Sequence, residues 1–92
     1  MISLPEFRRR VAELDGRRLK TGPRKKAFTV RLIDTGLEYT PESSGKPRRQ
    51  AWRKIEQALA HYNETHSLVP GHYREITVHG SYLTAILDRL RK

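Results

Sequence analysis

Cysteine is missing from this 92-residue chain. Without a thiol there is neither a disulfide framework nor a thiolate metal site, which suits a reducing compartment. Long apolar runs are missing as well: the start, Met-Ile-Ser-Leu-Pro, turns charged by Glu6. With no signal-peptide or membrane-spanning stretch, a soluble cytoplasmic protein without a membrane partner is expected. Phosphate-loop motifs are absent. Ser43-Ser-Gly-Lys-Pro47 has the lysine, but neither the glycine spacing nor a preceding buried strand. There are no internal repeats, long linkers or low-complexity segments, so residues 1–92 read as a single domain with one modest core.

Acid is in short supply. Nineteen Lys+Arg against ten Asp+Glu give a net charge of +9 and a pI near 10.5. All the bases but Arg74, Arg89, Arg91 and Lys92 fall between Arg8 and Lys54. A fixed cationic surface attracts polyanions, because each phosphate neutralised releases condensed counterions. No segment joins a basic face to a broad Trp/Phe/Leu face, so an anionic membrane is the poorer match.

Ser3-Leu-Pro-Glu6 has capping-box spacing, and Leu4, Phe7, Val11 and Leu14 follow at helical period. A helix is predicted over about 4–14, with Gly16 as its left-handed stop. Arg17–Thr21 reads as a short strand and Gly22–Lys26 as a cationic loop. Phe28–Ile33 and Gly36–Pro41 are β-rich, with a turn at Asp34-Thr-Gly36. A two-residue loop at Thr35-Gly36 pairs Asp34 with Leu37 and Leu32 with Tyr39. That register puts Phe28, Val30, Leu32, Leu37 and Tyr39 on the core face and Thr29, Arg31, Ile33, Glu38 and Thr40 on the other.

Ala51, Trp52, Ile55, Ala58, Leu59 and Tyr62 form a stripe of helical period, predicting a long helix over about 48–65. Arg49, Arg53 and Gln57 lie opposite the stripe. Tyr73–Val78 reads equally as a short strand or an irregular turn. Gly80-Ser81 offers an N-cap, and Leu83, Ile86, Leu87 and Leu90 form a last stripe. The expected fold is α+β: an N-terminal helix, a small three-stranded antiparallel sheet, a long helix packed on it and a short C-terminal helix.

Three basic groups stand out. Arg8, Arg9 and Arg10 lie on the first helix. Arg17, Arg18, Lys20, Arg24, Lys25 and Lys26 surround the first strand and loop. Lys46, Arg48, Arg49, Arg53 and Lys54 stand at the predicted mouth of the long helix. Cations oppose the helix dipole there, at a cost of a few tenths of a kcal/mol unless an anion compensates. Their placement therefore reads as a phosphate clamp on the helix N-terminus.

Trp52 is either a stacking platform or, at the edge of the stripe, a residue partly buried on the sheet. Tyr39 and Tyr62 fall on core faces. Bases without an aromatic platform favour a duplex over a single strand. His61 and His66 are five apart, off the spacing that sets two ligands on one helix face, so no metal site and no cofactor are expected. Asp34, Glu38 and Glu42 lie along a turn and strand and do not make a magnesium cluster.

Two family likenesses accompany these residues. Helix, three strands, helix over 4–62 resembles the double-stranded-RNA-binding domain. There GPRKKAFTVRLI looks like the first loop and second strand, and GKPRRQAWRKIEQAL like the basic turn entering the last helix. FTVRLIDTGLEYTPESSGKPRRQAW and YNETHSLVPGHYREITVHGSYLTAIL look like small accessory domains of bacterial modification-dependent restriction endonucleases. The second likeness implies a DNA-binding module without a nuclease centre.

The expected function is binding of duplex DNA without catalysis. Arg24, Lys25, Lys26, Lys46, Arg48, Arg49 and Arg53 would contact phosphates, and Arg31 and Gln57 would reach a groove. The alternatives are structured RNA, a small ribonuclease using His61, His66 or His79, and a protein-binding adaptor with an acidic partner.

Overall fold

The computed structural model describes residues 1–22 and 24–91. Helix α1 (Leu4–Val11) begins as the capping box predicts: Ser3 Oγ accepts from the Glu6 N–H at 3.3 Å. It gives way to a 3₁₀ turn over Ala12–Leu14, earlier than the single helix expected. Gly16, at φ +78°, turns the chain, and its N–H donates to the Val30 carbonyl at 2.7 Å.

The sheet has four antiparallel strands rather than three: β1 (Arg18–Lys20), β2 (Ala27–Ile33), β3 (Gly36–Pro41) and β4 (Arg48–Ala51), in the order β1-β2-β3-β4. The β2–β3 loop is Asp34-Thr35, so Ile33 faces Gly36, Leu32 faces Leu37 and Val30 faces Tyr39. Each partner is two residues from the one expected. A slip of two preserves the faces, and Phe28, Val30, Leu37 and Tyr39 are buried as predicted.

β4 replaces the first turn of the expected long helix. Arg48–Ala51 pair with Tyr39–Gly36, and α2 (Trp52–Thr65) starts four residues later than predicted. Gly36 makes room for this: a Cβ there would lie 1.9 Å from the Gln50 carbonyl oxygen. Residues 70–73 form a 3₁₀ turn and 74–79 run irregularly, which settles the Tyr73–Val78 segment as non-strand. Helix α3 (Gly80–Leu90) has Gly80 as its first residue, and its N-cap position is His79 without a side-chain cap.

All three helices lie on one face of the sheet. Phe7, Val11, Ile55, Ala58, Leu59, Tyr62, Leu83, Ile86, Leu87 and Leu90 close over Leu19, Phe28, Val30, Leu37 and Tyr39 as one core. At about 1.5–3 kcal/mol for each fully buried large apolar side chain, this layer is the principal stabilising term. Among the described residues no helix is long and apolar enough to cross a membrane.

Candidate functional site

The face of the sheet turned away from the helices is left open. Alternation sends Arg18 and Lys20 of β1, Thr29, Arg31 and Ile33 of β2, Glu38 and Thr40 of β3, and Arg49 and Ala51 of β4 to this side. None of these is buried, whereas Leu19, Phe28, Val30, Leu37, Tyr39 and Gln50 on the reverse side are. Cross-strand register sets them in rows: Arg18–Thr29–Thr40, and Arg31–Glu38–Arg49. Neighbours in a row stand about 4.8 Å apart. The face carries no aromatic ring.

Its charges are partly compensated. Arg18 grips Glu42 with two nitrogens, the Nη2–Oε1 contact being 3.1 Å, and Arg49 Nε donates to Glu38 Oε2 at 3.2 Å. The Arg18 hydrogen bond holds the Glu42 carboxyl below its usual range; desolvation opposes it, and the charges of Arg18 and Lys20 add to the lowering. Arg31 and Lys20 form no ion pair among the described residues. The row centred on Glu38 therefore leaves one net positive charge, and β1 leaves another.

The β1–β2 loop and the β3–β4 turn meet at one end of the sheet: Thr21 N–H donates to the Lys26 carbonyl, and Glu42 N–H to that of Ala27. This end bears Arg24, Lys25, Lys26 and Lys46, all exposed. Lys25 and Lys46 are exposed on these connections, past the strand ends. Arg24 and Lys26 instead line a cavity with Thr21, Gly71, Ser81 and Tyr82, toward the helical layer.

The phosphate clamp expected at the helix mouth is not assembled. Arg48 and Arg49 are strand residues on opposite faces, because adjacent strand positions alternate. Arg49 joins the open face. Arg48 shares the reverse side with Tyr39, and its charge acts with burial to lower the His79 pKa, burial being the larger effect. Only Arg53 and Lys54 remain in the first turn of α2. The Trp52 N–H at that terminus already donates to Thr35 O at 3.1 Å. That end lies by the Asp34-Thr35 turn, the length of β2 (about 20 Å) from Lys25 and Lys46. Arg53 and Gln57 are exposed on the helical layer, apart from the open face.

Trp52 is half-buried, as its place in the stripe predicts. Its Nε1 donates to Asp34 O at 3.1 Å, and the Arg8 guanidinium lies 4.6 Å from its ring centroid. The histidines take separate positions. His61 packs edge-on against Tyr73 at 4.8 Å, its Nε2 buried without a hydrogen-bond partner among the described residues. His66 closes α2 at φ 55°. His72 Nδ1 lies 2.6 Å from Ser67 Oγ, and His79 sits against Tyr39 and Tyr82. Among the described residues no group of three His, Cys, Asp or Glu is placed to hold a metal.

Arg18 and Lys20 belong to the open face although sequence reasoning left them outside the binding set. The signal was available: in Arg18-Leu-Lys20 the apolar middle residue sends both bases to the other side. No protein-family model, curated protein or solved structure matches this chain.

Proposed function

We propose that this chain binds duplex nucleic acid, with DNA as the preferred form, through the open face of its sheet and without catalysing a reaction. One observation carries the reading: an uncovered sheet face combines Arg18, Lys20, Arg31 and Arg49 with small Thr29 and Thr40, and carries no aromatic side chain. Such a face offers charge and hydroxyl donors to a phosphate backbone but nothing for bases to stack on, which favours a duplex over a single strand. The sheet measures about 14 Å across its strands and 20 Å along β2. Over 20 Å of axis a duplex carries about a dozen phosphates. Lys20, Lys25, Arg31 and Lys46 meet phosphates directly. Arg18 and Arg49 do so by exchanging Glu42 and Glu38 for phosphate.

The test is competition among a 20-base-pair DNA duplex, an RNA duplex of the same sequence and the DNA single strand, followed by fluorescence anisotropy. DNA duplex should compete best, and Arg31→Glu should weaken it at least about tenfold, the effect of a buried or bidentate phosphate contact reversed in sign. Preference for the RNA duplex would transfer the same face to structured RNA. Preference for the single strand, or indifference to Arg31→Glu, would overturn the proposal.

A further inference from the structure

We infer that β4 is a docking edge for an extended acidic peptide, which would add to the sheet as a fifth strand. β4 ends the sheet order, so among the described residues one side of it has no partner strand. Which backbone groups face that side follows from the register. Leu37 stands opposite Gln50, and the Trp52 N–H donates to Thr35 O, two steps further along the same ladder. Positions 48, 50 and 52 thus turn their backbone groups inward to β3. Positions 49 and 51 turn theirs outward. As N-cap of α2, Ala51 gives its carbonyl to that helix; among the described residues no backbone bond outside the helices and strands engages Arg49 or the Ala51 N–H.

A groove of about 360 Å³ runs beside this edge, between β4 and the 74–79 segment. Gln50 is 4% exposed, and its Nε2 donates to Thr77 Oγ1, tying the groove's far wall to the strand. The floor includes half-buried Ile76, and Val78 stands 89% exposed beside it. Arg49, Lys54 and Arg74 line it as cations, against Glu75 as the acid.

An added strand alternates its side chains between the two faces. On the helical side they would meet Ile76 and Val78, and on the open side Arg49, while Lys54 and Arg74 line the same groove. A segment alternating aliphatic and acidic residues fits this arrangement. A second copy of the chain does not: pairing two β4 edges would bring Arg49 against a like charge on a molecule already at +9. Charge on an edge strand normally discourages self-association, and here the same charge selects an acidic partner.

Arg49 serves both this inference and the duplex-binding proposal, so the two are separated at the backbone edge, by Ala51→Pro and by N-methylation of the peptide. Ala51 sits at φ −68°, which proline adopts, and its N–H is one of the outward donors. Titrate the full chain with a fluorescein-labelled peptide of alternating valine and glutamate, a lysine-for-glutamate control, and a version N-methylated at alternate residues. The valine–glutamate peptide should bind saturably. Ala51→Pro and N-methylation should each weaken it about tenfold, as loss of one or two exposed-edge hydrogen bonds implies. Lys54→Glu with Arg74→Glu should weaken it too, while the melting temperature of Ala51→Pro stays unchanged. Equal binding by the N-methylated peptide, by Ala51→Pro or by the lysine control would overturn the inference. So would a concentration-dependent dimer that Ala51→Pro dissociates.

Discussion

Substituting Gln50 tests how β4 is held to the rest of the fold. Gln50 is buried on the core face of β4: the Tyr39 hydroxyl donates to its Oε1 at 2.7 Å, and its Nε2 donates to Thr77 Oγ1. Tyr39 is itself fully buried, and burial raises its pKa far above that of a free tyrosine. Gln50→Leu keeps the volume but strands that hydroxyl, at about 1–3 kcal/mol, and loses the Thr77 bond, at about 1 kcal/mol. The total of about 2–4 kcal/mol should lower the melting temperature by roughly 10–25 °C in a domain of this size. Tyr39→Phe strands Gln50 Oε1 instead and should cost about 1–3 kcal/mol. The double variant leaves neither group stranded, so its cost should fall short of the sum by about 1–2 kcal/mol. Urea and thermal unfolding followed by circular dichroism give all three values. Costs that add to within about 0.3 kcal/mol would refute the reasoning, since additivity means that the two groups do not share a bond.

Gly36→Ala should destabilise by about 3 kcal/mol or more in the same assay, because the Gln50 carbonyl occupying the space belongs to the backbone and β4 must move. Stability should fall in alkali: burial, aided by the charge of Tyr62, pushes the Tyr73 hydroxyl up to about 12. A folded-state pKa above the unfolded value near 10 gives stability that is full below about pH 10 and is lost toward pH 12. Tyr73→Phe should flatten that part of the unfolding curve. His79 acts on the acid side. Burial first, then the Arg48 charge, lower its pKa, so its contribution is full above about pH 6.5 and declines as pH falls through the folded value. His79→Gln should remove that decline in a pH series of melting temperatures.

The core was legible because burial imposes period. Phe28, Val30, Leu37 and Tyr39 alternate, Ile55, Ala58, Leu59 and Tyr62 recur at helical spacing, and the structure buries both sets. β4 was not legible. Arg48-Arg-Gln-Ala51 has no β-branched or aromatic residue, and its strand conformation comes from pairing with β3 rather than from its own preferences. Ala51 and Trp52 extend the helical stripe backward, which drew the predicted helix into the strand. Gly36 misled the turn assignment for a related reason. Its φ is not positive, and it is glycine because the β4 backbone passes close to it. The candidate site followed the same division. Arg31 lies on the face that alternation implies, whereas Arg48, Arg49, Arg53 and Gln57 were grouped by a helix that starts later than expected, and Arg49 reaches the open face only because β4 pairs with β3.

The slope of duplex affinity against salt addresses the central claim most directly. With Arg18, Lys20, Lys25, Arg31, Lys46 and Arg49 on phosphates, log K should fall with log salt at a slope of about −5, or nearer −4 if Arg18 and Arg49 keep their carboxylate partners. Lys20→Ala and Arg31→Ala should each reduce the slope by about 0.9, and Arg53→Ala with Gln57→Ala should leave it unchanged. A wild-type slope shallower than about −2, or a loss from the α2 pair matching that from the sheet pair, would contradict the account.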